Sequence, residues 1–202
     1  MSEPGDTANN ARRQIVTAMS NDALIVDLLQ TINHLSRWLT PIHDQRRLDM
    51  TSRRADVSVK DLLLRLRDNE VAIYSYMNAI ATQTNPDLDK VPLRQNSPIQ
   101  QLADSRASAL VVVSEFRRVR ESSTSLLRAL PDNAWPRGGY SRSTRDWTIR
   151  QLAESLAVND WEQLGLIDLA LNESGLRQQV AKVSRVSRDS LREPYLAALD
   201  SR

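Results

Sequence analysis

Apolar residues recur three and four apart over several long runs of this chain, and they nowhere alternate. That periodicity confines the chain to helices packed on helices, because a strand needs a period of two. The longest run follows the bend Trp135-Pro136-Arg137-Gly138-Gly139 and places Ile149, Leu152, Leu156, Ile167 and Ala170 on one stripe. Thr144 or Asp146 is expected to cap that helix, and Asn172 with Gly175 to end it. Before it, Trp135 is expected extended because a proline follows. Trp135 and Trp147 are expected to pack over one end of the assembly.

Three partner helices can be read from the same spacing. The first runs from about Ser20 or Asn21 to Trp38, with Leu24, Leu28, Ile32, Leu35 and Leu39 inward and Pro41 as the stop. The second starts at Ser58, where Asp61 completes a capping box, and buries Val59, Leu62, Leu66, Ile73, Met77 and Ile80. The third runs from about Ile99 or Ser105 to Leu130, with Ala109, Val112, Phe116, Val119, Ser123, Leu126 and Leu130 inward. The second and third are joined by a long stretch holding Pro86, Pro92 and Pro98, and such a connection permits a crossover. Residues 1–19 read as a polar, partly flexible tail with a helical start near Arg12. Residues 20–172 form the four-helix bundle. Residues 173–202 form an extension with a peripheral helix, marked by Leu176, Val180 and Val183 and broken at Pro194.

The chain has 202 residues and no cysteine, so disulfides, thiolate metal sites and cysteine nucleophiles are excluded. No apolar run reaches the ~18–20 residues that span a bilayer, and no signal-peptide core opens the sequence. Neither membrane association nor export is expected, and the cytoplasm is the expected compartment. The net charge of +2 argues against a nucleic-acid partner. Arg117, Arg118 and Arg120 read as a solvated helix face.

Several polar residues fall where apolar ones belong. Asn159 and Gln163 interrupt the inward stripe of the last helix, one turn apart. Two such groups on adjacent turns resemble a site in a bundle, or a pair of amides bonded to each other or to a neighbouring helix. Glu70 lies between Leu66 and Ile73 on the second helix, and an inward carboxylate needs a partner. An arginine from another segment, such as Arg137, is a candidate. His34 falls off the main stripe and His43 beyond the helix stop, so both are expected at the surface or in loops. Trp161 with Ala157, Leu164 and Gly165 makes a second stripe. It covers another helix of the chain or forms a homodimer surface.

The stretch LPDNAWPRGGYSRSTRDWTIRQLAESLAVNDWEQLGLI, residues 130–167, resembles the last loop and last helix of the DinB/YfiT-like superfamily of bacterial four-helix bundles. In that superfamily the helix carries two metal-binding histidines with an aspartate between them. Asn159 and Gln163 stand at the histidine positions here, with Asp160 retained. The family's third ligand lies on the second helix, in a pattern that residues 58–70, SVKDLLLRLRDNE, follow closely. Arg65 stands at that position. A permanent cation cannot ligate a metal and amides are poor zinc donors, so no metal and no cofactor are expected. Arg65 is expected to fill the metal's volume, with Asn159 and Gln163 accepting its N–H bonds.

The resemblance implies metal-dependent thiol transferases, an isomerase or hydrolases. With the activating metal removed, the expectation becomes a non-catalytic binding or stress-associated accessory protein. Its pocket, around Arg65, Asn159, Gln163, Arg137 and Tyr140, would take a small anionic or thiol ligand. Two alternatives stand beside it. One is a metal-independent transferase or hydrolase-like enzyme with Glu70 or Asp160 as base. The other is a structural subunit of a homo-oligomer or complex.

Overall fold

The structure is a computed structural model and describes residues 4–51, 57–93 and 97–177. Its helices are α1 (Pro4–Ala18), α2 (Asn21–Leu39), α3 (Val59–Thr82), α4 (Pro98–Arg106), α5 (Ala109–Ala129) and α6 (Ile149–Glu173). The strands β1 (Gly138–Gly139) and β2 (Trp147–Thr148) form a two-stranded antiparallel ribbon in the bend before α6.

Four helices make the bundle. Both α2 and α3 pack along α5 and α6, so the consecutive helices α2 and α3 sit diagonally across it. The diagonal steps are made by residues 40–58 and 130–148, whereas α3 and α5, joined by the long connection that was expected to permit a crossover, are packed neighbours. The core side of α3 is the one expected: Val59, Leu62, Leu66, Ile73, Met77 and Ile80 are all buried. Two apolar clusters fill the bundle. One surrounds Trp38, Phe116 and Leu164, and the other surrounds Leu28, Met77 and Leu156. Between them the centre is polar.

Local sequence sets the helix ends. Ser20 and Ser58 cap α2 and α3, and Asp61 closes the box with Ser58. The cap of α6 is Thr148, with Gln151 completing a capping box. Thr144 and Asp146 lie too early, because the β1–β2 pairing carries the chain on to Thr148 before the helix turns. At its far end Gly175 takes φ +69, Leu176 N donates to Leu171 O at 3.0 Å, and Gly175 N donates to Asn172 O at 3.1 Å. That is a Schellman motif with an apolar contact between its two leucines.

Several expectations fail for physical reasons. The N-terminal tail is the helix α1, packed along α6. The expected third helix is two helices, because Ser108 caps a new one after Ala107 turns extended. Trp135 is helical, with φ −62 and ψ −34, despite Pro136. Its N–H bonds Asp132 O at 3.3 Å and its buried ring packs with Leu152 and Leu156, which outweighs the local preference. The extension expected at 173–202 lies outside the described residues from 178 onward.

Candidate functional site

The centre of the bundle is organised by Arg120 on α5. The stripe Phe116, Arg120, Thr124 and Leu127 recurs at helical spacing and is buried throughout. Arg120 is 0% exposed. Its Nη1 donates to Leu28 O at 2.8 Å and to Asp160 Oδ2 at 2.6 Å. Its Nη2 donates to Glu70 Oε2 at 2.6 Å and to Asp160 Oδ1 at 2.9 Å. The two bonds to Asp160 form the planar fork that suits guanidinium and carboxylate. Thr31 Oγ1 adds a bond to Asp160 Oδ2 at 2.8 Å. One side chain thus ties α2, α3, α5 and α6 together. The expected solvated face keeps Arg117 and Arg118 exposed but loses Arg120.

The electrostatics follow from burial. Desolvation pushes the Glu70 carboxyl above its ordinary range; Arg120 opposes that and Asp160 adds to it. Its second oxygen, Oε1, is buried without a hydrogen-bond partner. Asp27 on α2 is also pushed up by burial, against the pull of Arg12 on α1, whose Nη2 lies 2.7 Å away. Arg12 also covers the Trp161 ring at 5.1 Å.

The Trp161 stripe is therefore closed within the chain. Trp161, Ala157 and Leu164 are buried, and the surface expected to pair two copies is instead covered in part by α1. His34 is a further correction. It is buried, its Nδ1 has no partner, and burial pushes its imidazole below the ordinary value, with Arg37 adding to the effect. It lines a water-sized cavity of about 20 Å³ with Asp27, Thr31 and Asp160. His43 is exposed, as expected.

A larger cleft, of about 490 Å³, opens between α1, α3 and α6. Its floor is one face of α6, residues 151, 154, 155, 158, 159 and 162. Asn69 of α3 and Arg13 of α1 complete its walls, and Arg145 stands at one end with its guanidinium 3.8 Å from the Trp147 ring centre. Two amide nitrogens, Asn69 Nδ2 and Asn159 Nδ2, are buried without a partner. An unmet donor of this kind costs ~1–3 kcal/mol, so these two amides are weak points in the wall of the cleft.

The sequence candidates divide accordingly. Asn159 lines this cleft. Gln163 sits one turn further along, with Oε1 buried and unpartnered, and the two amides do not bond each other. Arg65 does not join them. It is exposed in a separate groove beside Asp61, Leu64 and Asp104. The reason is angular: five residues from Glu70 rotate it about 140° around α3. Arg137 is not the partner of Glu70 either. It donates to Ala81 O at 3.2 Å and Gln83 O at 3.1 Å, at the end of α3. Tyr140 pairs its backbone with Pro86 and Leu88. Glu70 and Asp160, the weak candidates for a base, face Arg120 and not the cleft.

The bend itself is fastened by Asp89. It accepts from Ser141 Oγ at 2.8 Å, Ser143 Oγ at 2.5 Å and Arg142 N at 2.8 Å. Those bonds, with Ser143 first, hold its carboxyl down at about 2. Gly139 is required where this loop crosses residues 86–88, because a Cβ there would lie 2.9 Å from Pro86 O.

Sequence reasoning missed Arg120, Arg13, Asn69, Arg145 and Glu162. For Arg120 the signal existed, since it lies four residues after Phe116 on the inward stripe. Arg13 depended on a helix that local sequence did not announce.

No protein-family model matches the chain, and no curated protein sequence matches it. Solved structures do. YfiT from Bacillus subtilis, described as a probable metal-dependent hydrolase with an unusual four-helix bundle topology, superposes with a TM-score of 0.58 at 19% identity. That match covers 80% of this chain and 90% of YfiT. This chain shares the four-helix-bundle fold of YfiT. A mycothiol-dependent maleylpyruvate isomerase is similar as well, with a TM-score of 0.56 at 12% identity over 74% of this chain. A histidine-to-alanine mutant of that isomerase gives a TM-score of 0.54 at 13% identity over 75% of this chain. The chain spans 61% of the length of the isomerase.

The YfiT-like scaffold raises the question of a metal, and the donor set answers it. Asn159, Gln163 and Arg65, the three positions at which the resemblance implied metal ligands, offer two amides and an exposed guanidinium. The two carboxylates between α3 and α6, Glu70 and Asp160, are bonded to a guanidinium, which would repel a divalent ion. Among the described residues no group of three or more His, Cys, Asp or Glu is placed to hold one. The residues present do not fit the metal. A cation does sit at the heart of the bundle as expected, but it is Arg120 and not Arg65.

Proposed function

We propose that this DinB/YfiT-like bundle is a non-catalytic binding or accessory protein that takes a small, acceptor-rich anionic ligand in the cleft between α1, α3 and α6. The observation that carries this reading is the lining of the cleft, where the exposed guanidiniums of Arg13 and Arg145 stand with the polar side chains of Asn69 and Asn159. Glu70 and Asp160 support it from the other side. Both are bonded to Arg120 beneath the cleft, so neither is placed to move a proton on a ligand there. A position in the cytoplasm belongs to the same proposal. Among the described residues no helix is long and apolar enough to cross a membrane.

A thermal-shift panel of small carboxylates, phosphate and low-molecular-weight thiols tests the reading. A ligand at a hundred times its Kd stabilises the folded state by ~2.7 kcal/mol, which is a readable rise in Tm. The expected result is a shift with at least one anion that Asn159→Leu removes. Metal-free turnover of thiol conjugates, which the fold's likeness to a mycothiol-dependent isomerase makes worth assaying, would contradict a non-catalytic role.

A further inference from the structure

Helix α4 is amphipathic in the inverted sense. None of its residues is buried, and the two turned most toward the bundle are the polar Gln100 and Asp104. Charge holds them there. Arg67 on α3, itself 1% exposed, donates to Asp104 Oδ1 at 2.7 Å and to Oδ2 at 2.8 Å. Gln100 Nε2 donates to the same carboxylate at 2.8 Å. Lys60 Nζ donates to Ser105 O at 2.9 Å and fixes the last turn. Ile99 and Leu102, three apart and so on one face, are left 82% and 51% exposed, with the exposed Ala103 beside them. A single exposed leucine is ordinary. A surface helix normally turns its apolar stripe inward, and here a buried guanidinium fixes the opposite orientation.

We infer that the apolar face of α4 is covered by residues 178–202 of the same chain. Of the stretches outside the described residues, 1–3, 52–56 and 94–96 hold no large apolar side chain beyond Met1. Residues 178–202 hold several, with Leu191, Tyr195, Leu196 and Leu199 closely spaced. The described chain also stops at the end of the bundle where α4 is fastened. Arg47, in the short 3-10 turn Gln45–Asp49, donates to Ser174 O at 2.5 Å. Asp49 of that turn lies 4.0 Å from Lys60, which holds Ser105. A path of adjoining side chains thus leads from the last turn of α6 to the last turn of α4. The bundle is about two helix diameters across, ~20–24 Å. The stretch from Arg177 to Leu191 covers ~21 Å if helical and ~46 Å if extended, so the leucines beyond it reach Ile99 and Leu102. The size of the face favours a tethered occupant over a second copy. A stable interface buries ~800 Å² on each partner, far more than two or three side chains offer, whereas a segment of the same chain is present at an effective concentration on the order of millimolar.

Photocrosslinking of the 202-residue chain tests this. The chain has no cysteine, so Leu102→Cys gives one attachment point for a benzophenone label, and an unchanged Tm confirms that this exposed substitution leaves the bundle folded. Irradiation is expected to link position 102 to residues 191–199 within the same chain, read by mass spectrometry of the monomer band after proteolysis. Adding Leu196→Asp and Leu199→Asp should lower the yield of that link at least fivefold. Without the label, the same two substitutions should raise hydrogen exchange in α4 while α2, α3 and α6 stay protected. Links that join two chains assign the face to a second copy and overturn the inference. Links confined to α3 and α5, no link at all, or a yield indifferent to the two aspartates overturn it as well.

Discussion

Arg120 sits on the inward face of α5 with no solvent exposure and two carboxylates for partners. Removing it while keeping Glu70 and Asp160 leaves buried charge uncompensated, at a cost of roughly 3–5 kcal/mol. Arg120→Met should lower the urea midpoint accordingly, and an effect below about 1 kcal/mol would contradict the buried cluster. Glu70 titrates in the opposite sense to most carboxylates. Because burial raises its folded value above the ordinary 4.5, the folded state holds the proton more tightly than the unfolded chain. Its stabilising contribution is complete below about that value and is lost as pH rises through the folded value. Asp27 is shifted in the same direction. The fall in urea midpoint as pH rises above the ordinary 4.5 should therefore be smaller in Glu70→Gln than in the wild type, and equal falls would refute the shift. Glu70 was legible as an inward acid because it interrupts Leu66 and Ile73. Arg120 was not, because its neighbours Arg117 and Arg118 made an exposed basic face the natural reading. The apolar stripe before and after it was the better guide.

The elements differ in how far local sequence specified them. Helices α2, α3 and α6 carry complete apolar stripes and side-chain caps, so their existence could be read directly. Losing the cap that Thr148 makes with Gln151 should cost about 1 kcal/mol in Thr148→Ala, read as a lowered Tm. Helix α1 could be read only from about Arg12, because its first turns are polar; among its described side chains Val16 joins the apolar core. Tertiary bonds hold it instead. Arg12 pairs with Asp27, and Arg150 Nη2 donates to Val16 O at 3.2 Å and Met19 O at 2.7 Å at its end. Arg150→Ala should therefore raise hydrogen exchange throughout α1 while α3 and α5 stay protected. Uniform loosening of all helices would contradict this. The cleft depends on the same helix, since Arg13 and Thr17 form one of its walls. That is why the sequence reading set Arg65, and not Arg13, beside Asn159.

At the scale of the whole molecule, diagonal placement of α2 and α3 brings residues from four helices to one point. That point is occupied by the guanidinium of Arg120 and the carboxylates of Glu70 and Asp160. The arrangement keeps a charged centre that fixes helix register while removing the donors a divalent ion needs. The neighbouring cleft, where the proposed binding role is placed, is lined by the exposed guanidiniums of Arg13 and Arg145. The fold was legible because periodicity and the motifs of residues 58–70 and 130–167 agreed. The site was legible only in part, because a contact such as Arg120 with Asp160 spans 40 positions of sequence that no local pattern connects. The most direct test of the guanidinium-centred bundle is elemental analysis of the protein purified without chelators and dialysed with zinc, nickel or iron. Well under one tenth of an equivalent per chain is predicted; one tightly held equivalent per chain, lost in Asp160→Asn, would contradict the account.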